Sequence, residues 1–178
     1  TLLNGVISYA KEHGILMEGA APIIRGNLLR NNGSQENDYD IACDAASTPV
    51  IENNEFGPGH DGQTYAVRAG AMAVGQVQSN IFHPTKGVYV LPGTISANIS
   101  WTNQGMSHYY VQGDVYIAGP GTPILTLGSG ITLKFARGAG LYVGTQTSPG
   151  ALVADGRSAW IHLTRAEGVE NWSGIFLD

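Results

Sequence analysis

The chain has 178 residues, 43% of them hydrophobic and only 13% charged, about half the usual charged share. That is one domain's worth of chain (1–178) with room for a buried core, and its low charge argues against disorder. Nine basic against fourteen acidic residues give a net charge of -5, which argues against a general nucleic-acid partner. No run approaches 18 apolar residues, so no membrane span is expected, and the single Cys43 can build neither an internal disulfide nor a Cys-rich zinc site.

Along the chain, helical periodicity is almost absent. The best helical stretch, Ile7 to His13, is cut by Gly14. Short apolar runs fenced by Gly, Asn, Pro or Asp dominate instead: Gly5-Val6-Ile7, Gly14-Ile15-Leu16-Met17, Pro22-Ile23-Ile24, Pro49-Val50-Ile51, Gly87-Val88-Tyr89-Val90 and Gly113-Asp114-Val115-Tyr116-Ile117. These read as short strands with sharp corners.

The runs repeat. Residues 21–29 align with residues 48–56 at a constant offset of 27, matching Pro22 to Pro49, Ile24 to Ile51 and Asn27 to Asn54. Asn80 follows Asn54 by 26 residues, and Asn4 precedes Asn27 by 23. A period of 22–27 residues holding about three strands predicts an all-β solenoid with little or no α-helix. A three-residue strand cannot bury its face alone, but it can pair with its equivalent one coil away. Asn27, Asn54 and Asn80 then fall on one line. They act either as an inward ladder bonded from coil to coil or as turn residues only.

Residues 1–90 form the regular Asn- and Pro-marked part, and 91–123 a looser coil or insertion. Residues 124–178 alternate apolar and polar positions between glycines. Ile124, Leu127, Ile131, Leu133 and Phe135 mark a buried face, with Thr126, Thr132 and Lys134 facing water.

The chain resembles the right-handed parallel β-helix proteins, among them pectate-lyase-like and bacterial surface proteins. The resemblance rests on Leu125-Thr126-Leu127 through Lys134-Phe135, Gly140-Leu141-Tyr142-Val143, Gly150-Ala151-Leu152-Val153-Ala154, Ile161-His162-Leu163-Thr164, Trp172-Ser173-Gly174-Ile175-Phe176 and the amino-terminal stretch Leu3 to Asn32. It implies the right-handed parallel β-helix fold over most of the chain. It says little of activity, because that scaffold carries lyases, hydrolases, adhesins and structural parts. In such proteins the Trp-Ser-Gly-Ile-Phe type of segment precedes the Leu-Asn-Gly-Val-Ile type. Here the order is reversed, so the chain reads as circularly shifted.

That order leaves open strand edges, with Leu2, Val6, Ile7, Ile175 and Leu177 as candidate contacts between end coils. Head-to-tail stacking into a filament, or a tandem array, is expected unless flanking sequence supplies caps. The chain opens on Thr1 with no secretion signal, as a processed or excerpted chain would.

No catalytic, cofactor or metal set is assigned. Asp38, Asp40 and Asp44, with Glu36 and Asn37, could bind Ca²⁺, but a solvated acidic loop is the better reading. His13, His60, His83, His108 and His162 are scattered and read as surface or corner residues, and Cys43 as a small core residue. Ser8 and Ser47 lack a nucleophile elbow. On this scaffold lyases use carboxylates with an Arg or Lys base. Lys11, Arg25 and Arg30 are the candidates here, but no charged cluster recurs on stacked coils. Trp101, Tyr109, Tyr110 and Tyr116 could form a sugar platform or an interface patch. The expectation is therefore an extracellular or cell-surface structural subunit whose partner is itself. The alternative is a carbohydrate-binding or polysaccharide-degrading domain of a larger surface protein.

Overall fold

Each fenced apolar run becomes a strand of two to six residues, too short to be stable unless its backbone pairs with the next coil. The computed structural model describes residues 1–60 and 63–178. It shows an all-β chain whose parallel sheets stack as a solenoid of about six turns. β1 (Leu2–Leu3), β2 (Val6–Ser8) and β3 (Ile15–Met17) make the first coil. β4 (Ile23–Arg25), β5 (Leu28–Arg30) and β6 (Ile41–Cys43) make the second, and β7 (Val50–Glu52), β8 (Glu55–Phe56) and β9 (Tyr65–Gly70) the third. After a 3-10 turn at Ala73–Gln76 come β10 (Val77–Gln78), β11 (Ile81–Phe82) and β12 (Gly87–Leu91). Then follow β13 (Gly93–Ile95), β14 (Ile99–Trp101), β15 (Tyr109–Val111), β16 (Val115–Ile117), β17 (Ile124–Leu127) and β18 (Thr132–Phe135). The last four are β19 (Gly140–Val143), β20 (Ala151–Ala154), β21 (His162–Arg165) and β22 (Gly174–Leu177).

Five sheets result. Sheet A is β1-β4-β7-β10, sheet B is β2-β5-β8-β11, and sheet C is β3-β6-β9-β12-β15-β18-β21. Sheet D is β13-β16-β19-β22 and sheet E is β14-β17-β20. Sheet C runs from the first coil to the last, whereas A and B give way to D and E midway. Sheet E takes over the line of sheet A: Gln78 Nε2 donates to the Ser100 carbonyl at 3.1 Å, and Gln104 Nε2 donates to the Val77 carbonyl at 2.8 Å. The 3-10 turn packs against β14 at this changeover. A Cβ on Gly75 would lie 2.7 Å from Ile99 Cβ, so the turn needs a bare glycine to approach.

The core is a set of side-chain columns running along the solenoid. Ile24, Ile51 and Val77 form one column on sheets A strands, and Leu29, Phe56 and Phe82 form another on sheet B. On sheet C, Ile41, Val67, Val88, Tyr109 and Leu133 follow in register, each buried. The 22–27-residue period describes most coils. The carboxyl-terminal ones lengthen: Leu141 pairs with Ile175, 34 residues on, because the connections around 155–161 and 166–173 are longer.

Candidate functional site: a cross-coil polar corner and an aromatic outer face

Asn27, Asn54 and Asn80 sit at the same corner of successive coils, each almost fully buried. The residue before each, Gly26, Asn53 or Ser79, has φ near +60°. That left-handed kink turns the chain and aims the next side chain inward. Asn27 Nδ2 donates to Asn54 Oδ1 at 3.0 Å, and Asn54 Nδ2 donates to Asn80 Oδ1 at 3.1 Å. The same oxygens accept the Asn27 and Asn54 backbone amides, each at 2.9 Å. Gln104 adds a rung below, its Oε1 accepting the Asn80 amide at 2.8 Å.

A second corner leads into sheet C. Asp40, Gln63 and Lys86 lie just before β6, β9 and β12, so the coil repeat brings them together although 46 residues separate Asp40 from Lys86. Lys86 Nζ donates to Asp40 Oδ2 at 3.0 Å and to Gln63 Oε1 at 2.5 Å. Asn32 Nδ2 donates to Asp40 Oδ1 at 3.1 Å, and Gln63 Nε2 donates to the Asp38 carbonyl at 3.2 Å. Lys86 and Asp40 are fully buried. Burial is the dominant influence on both, pushing the Asp40 carboxyl up and the Lys86 ammonium down, while each partner's charge pulls the other way.

The outer face of sheet C carries a ladder in register: Arg68, Tyr89, Tyr110 and Lys134. The Tyr89 and Tyr110 rings lie 5.0 Å apart at 30°. Tyr65 joins them because the register shifts between Gly87 and Val88, a bulge that turns Tyr65 onto the outer side. Its ring meets Tyr89 edge-on at 5.4 Å, Tyr110 at 5.7 Å and His108 at 5.6 Å. Tyr39 extends the cluster to Tyr89 and His13, with the Arg68 guanidinium 5.3 Å above its ring. Glu36, Asn37, Tyr65, Tyr89, His108, Tyr110, Lys134 and Glu167 border a groove of about 430 Å³. Lys134 pairs with Glu167 at 3.5 Å across its rim. Burial, and then the Lys134 charge, lower the His108 pKa to about 4, so its imidazole is neutral at pH 7 and presents one donor and one acceptor. Burial raises the Tyr39 pKa to about 12 and also raises those of Tyr65 and Tyr89, so all three keep their hydroxyl protons.

Several expectations about side chains need correction. Trp101 and Tyr109 are buried, because period-2 alternation sends them inward while Tyr110 faces out. They stack with each other inside, centroids 5.6 Å apart. Tyr116 belongs to sheet D, where it stacks on Tyr142, which in turn stacks on Phe176, so the four aromatics form no shared platform. His108 is buried in the groove wall rather than at the surface. The acidic loop is not the solvated segment expected: Asp40 is fully buried against Lys86 and Asp38 is buried and accepts the Ser34 and Gln35 amides, while Asp44 accepts the Ser47 hydroxyl. Among the described residues no group of three or more His, Cys, Asp or Glu is placed to hold a metal. Arg25 pairs with Glu52 on sheet A, Arg30 lies on sheet B and Lys11 is exposed, all away from the groove. Cys43 is fully buried and its thiol is pushed up to about 12. Among the end-coil residues Leu2 and Ile7 continue the core columns of Ile24 and Leu29, and Ile175 and Leu177 those of Leu141 and Val143. Val6 instead faces out from sheet B.

Lys86, Gln63 and Arg68 were not anticipated, because nothing in their local sequence sets them apart from surface residues. No protein-family model, curated protein or solved structure matches the chain. Its class therefore rests on the architecture itself: a parallel β-solenoid consistent with a β-helix.

Proposed function

We propose that the chain is a structural segment of an extracellular or cell-surface protein, extended by stacking its end coils against neighbouring units of the same kind. The observation that carries this reading is the state of the end rungs. Leu2 is 39% exposed, Ile175 42% and Leu177 74%, although all three lie in core columns. The edges are also compatible. Sheet C offers an edge at both ends, in β3 and β21, and β20 of sheet E lies on the line that β1 opens in sheet A. A neighbouring unit can thus continue two faces at once, with backbone groups pairing along the ladder.

Magnitudes set the expected strength. Covering a handful of half-exposed Leu and Ile side chains yields roughly 5–10 kcal/mol gross. Association costs on the order of 4–15 kcal/mol, so separate copies associate weakly and stacking grows with concentration or with covalent linkage in tandem. Sedimentation velocity over a wide concentration range tests this. We expect the mean sedimentation coefficient to rise with concentration, and the rise to vanish in an Ile175→Asp/Leu177→Lys variant that keeps its β circular dichroism. A monomer at every concentration, with no long particles by electron microscopy, would sink the reading.

The groove on sheet C favours a second reading, carbohydrate binding. Pyranose rings stack on tyrosine faces, and a neutral imidazole beside an ion pair supplies donors and acceptors for hydroxyls. In titration calorimetry with neutral and acidic oligosaccharides, Tyr110→Ala should weaken binding about tenfold, or ~1.4 kcal/mol. If no oligosaccharide binds the unaltered protein at millimolar concentration, the groove has no such role.

A further inference from the structure

We propose that Lys86 and Gln63 join in an intramolecular amide cross-link, with Asp40 relaying the proton. The side chains are held in reacting order. Lys86 Nζ lies 2.5 Å from Gln63 Oε1, which places the carboxamide carbon, one C=O bond further, no more than about 3.7 Å from the nitrogen. Productive attack distances are about 3–3.5 Å, so a small rotation of either side chain suffices. Asp40 Oδ2 is 3.0 Å from the same nitrogen and is steadied by Asn32 on its other oxygen. Gln63 is held from behind by its donation to the Asp38 carbonyl.

The surroundings favour the reactive forms. Lys86 and Asp40 are fully buried, so proton transfer from the ammonium to the carboxylate replaces two desolvated charges by an amine and an acid. Burial lowers the Lys86 pKa and raises that of Asp40, in the direction that transfer requires. Gln63 is also buried, which keeps bulk water from competing with the amine.

The step balances without oxidant or co-reactant. Lys86 Nζ bonds to Gln63 Cδ, and the Cδ–Nε2 bond breaks. The proton given up by Nζ passes through the Asp40 carboxyl to Nε2, which leaves as ammonia. The product is one secondary amide, closing a loop between two successive coils on the sheet B to sheet C corner.

Intact-mass and tryptic peptide mapping of the full chain, held folded at neutral pH, test the proposal. The expected result is a mass lower by one ammonia, no tryptic cut after Lys86, and a branched peptide joining the segments that hold Gln63 and Lys86. Lys86→Arg, which keeps the charge but is a poor nucleophile, should restore the full mass. Two results overturn it: an unmodified mass with normal cleavage after Lys86, or an ammonia loss that maps elsewhere, such as a succinimide at Asn32-Gly33.

Discussion

Asn54→Ala is expected to lower the unfolding free energy by about 3 kcal/mol. Asn54 is the middle rung of its ladder and serves both neighbours. Its Oδ1 accepts two Asn27 donors, and its Nδ2 donates to the Ile24 carbonyl at 2.9 Å and to Asn80. Truncation leaves the Asn27 amide and the Ile24 carbonyl without that partner in a site closed to solvent. Each stranded group costs about 1–3 kcal/mol, more than the net worth of one hydrogen bond. Asn103→Ala is the control. Its Nδ2 also bonds across coils, to the Gly130 carbonyl at 2.8 Å, but at an exposed site where water replaces the partner. Urea unfolding of both variants reads the contrast. Equal small losses would mean that the buried corner is not held by its amide chain.

Lys86→Met should cost about 3–5 kcal/mol near neutral pH, because it strands the Asp40 carboxylate in a dry corner. Lys86→Met/Asp40→Asn should recover a substantial part of that loss. Both variants lack Lys86, so their difference isolates the unpaired charge from any covalent link. The sign of the pH effect follows. Asp40 already binds its proton more tightly in the folded chain than in the unfolded one, and removing Lys86 strengthens that preference. The folded state of the single variant is therefore favoured at pH values below the unfolded carboxyl's pKa. It loses stability as pH rises through the raised folded value. Chemical denaturation from acid to neutral pH should show the single variant falling away from the double variant as pH increases. Parallel curves would overturn the assignment of Asp40 as a buried partner of Lys86.

The repeating architecture was legible because it leaves a constant offset. The 27 residues between Asn27 and Asn54 are also the register between Ile24 and Ile51. The candidate site was less legible, for physical reasons. Whether an aromatic faces in or out depends on a one-residue phase, and the adjacent Tyr109 and Tyr110 take opposite sides. Tyr65 reaches the outer cluster only through a local bulge, which composition and alternation do not announce. The Lys86 corner does recur at a constant 23 residues, from Asp40 to Gln63 to Lys86, but the three residue types differ, so no like-with-like match marks it. A charged side chain in a sparsely charged sequence was the only signal there, and it does not distinguish a buried ion pair from a solvated one.

The changeover from sheets A and B to sheets D and E has a mechanical consequence. A uniform spring can slip by one turn and find equivalent contacts, and tension along its axis then relaxes by sliding. This one is keyed. Its cross-section differs on either side of the Gly75 turn, because sheets A and B end at β10 and β11 and sheets D and E begin at β13 and β14, so coils from the two halves are not interchangeable. The winding therefore has a single phase. Axial load is borne by breaking rungs outright, with the middle of the molecule acting as the lock.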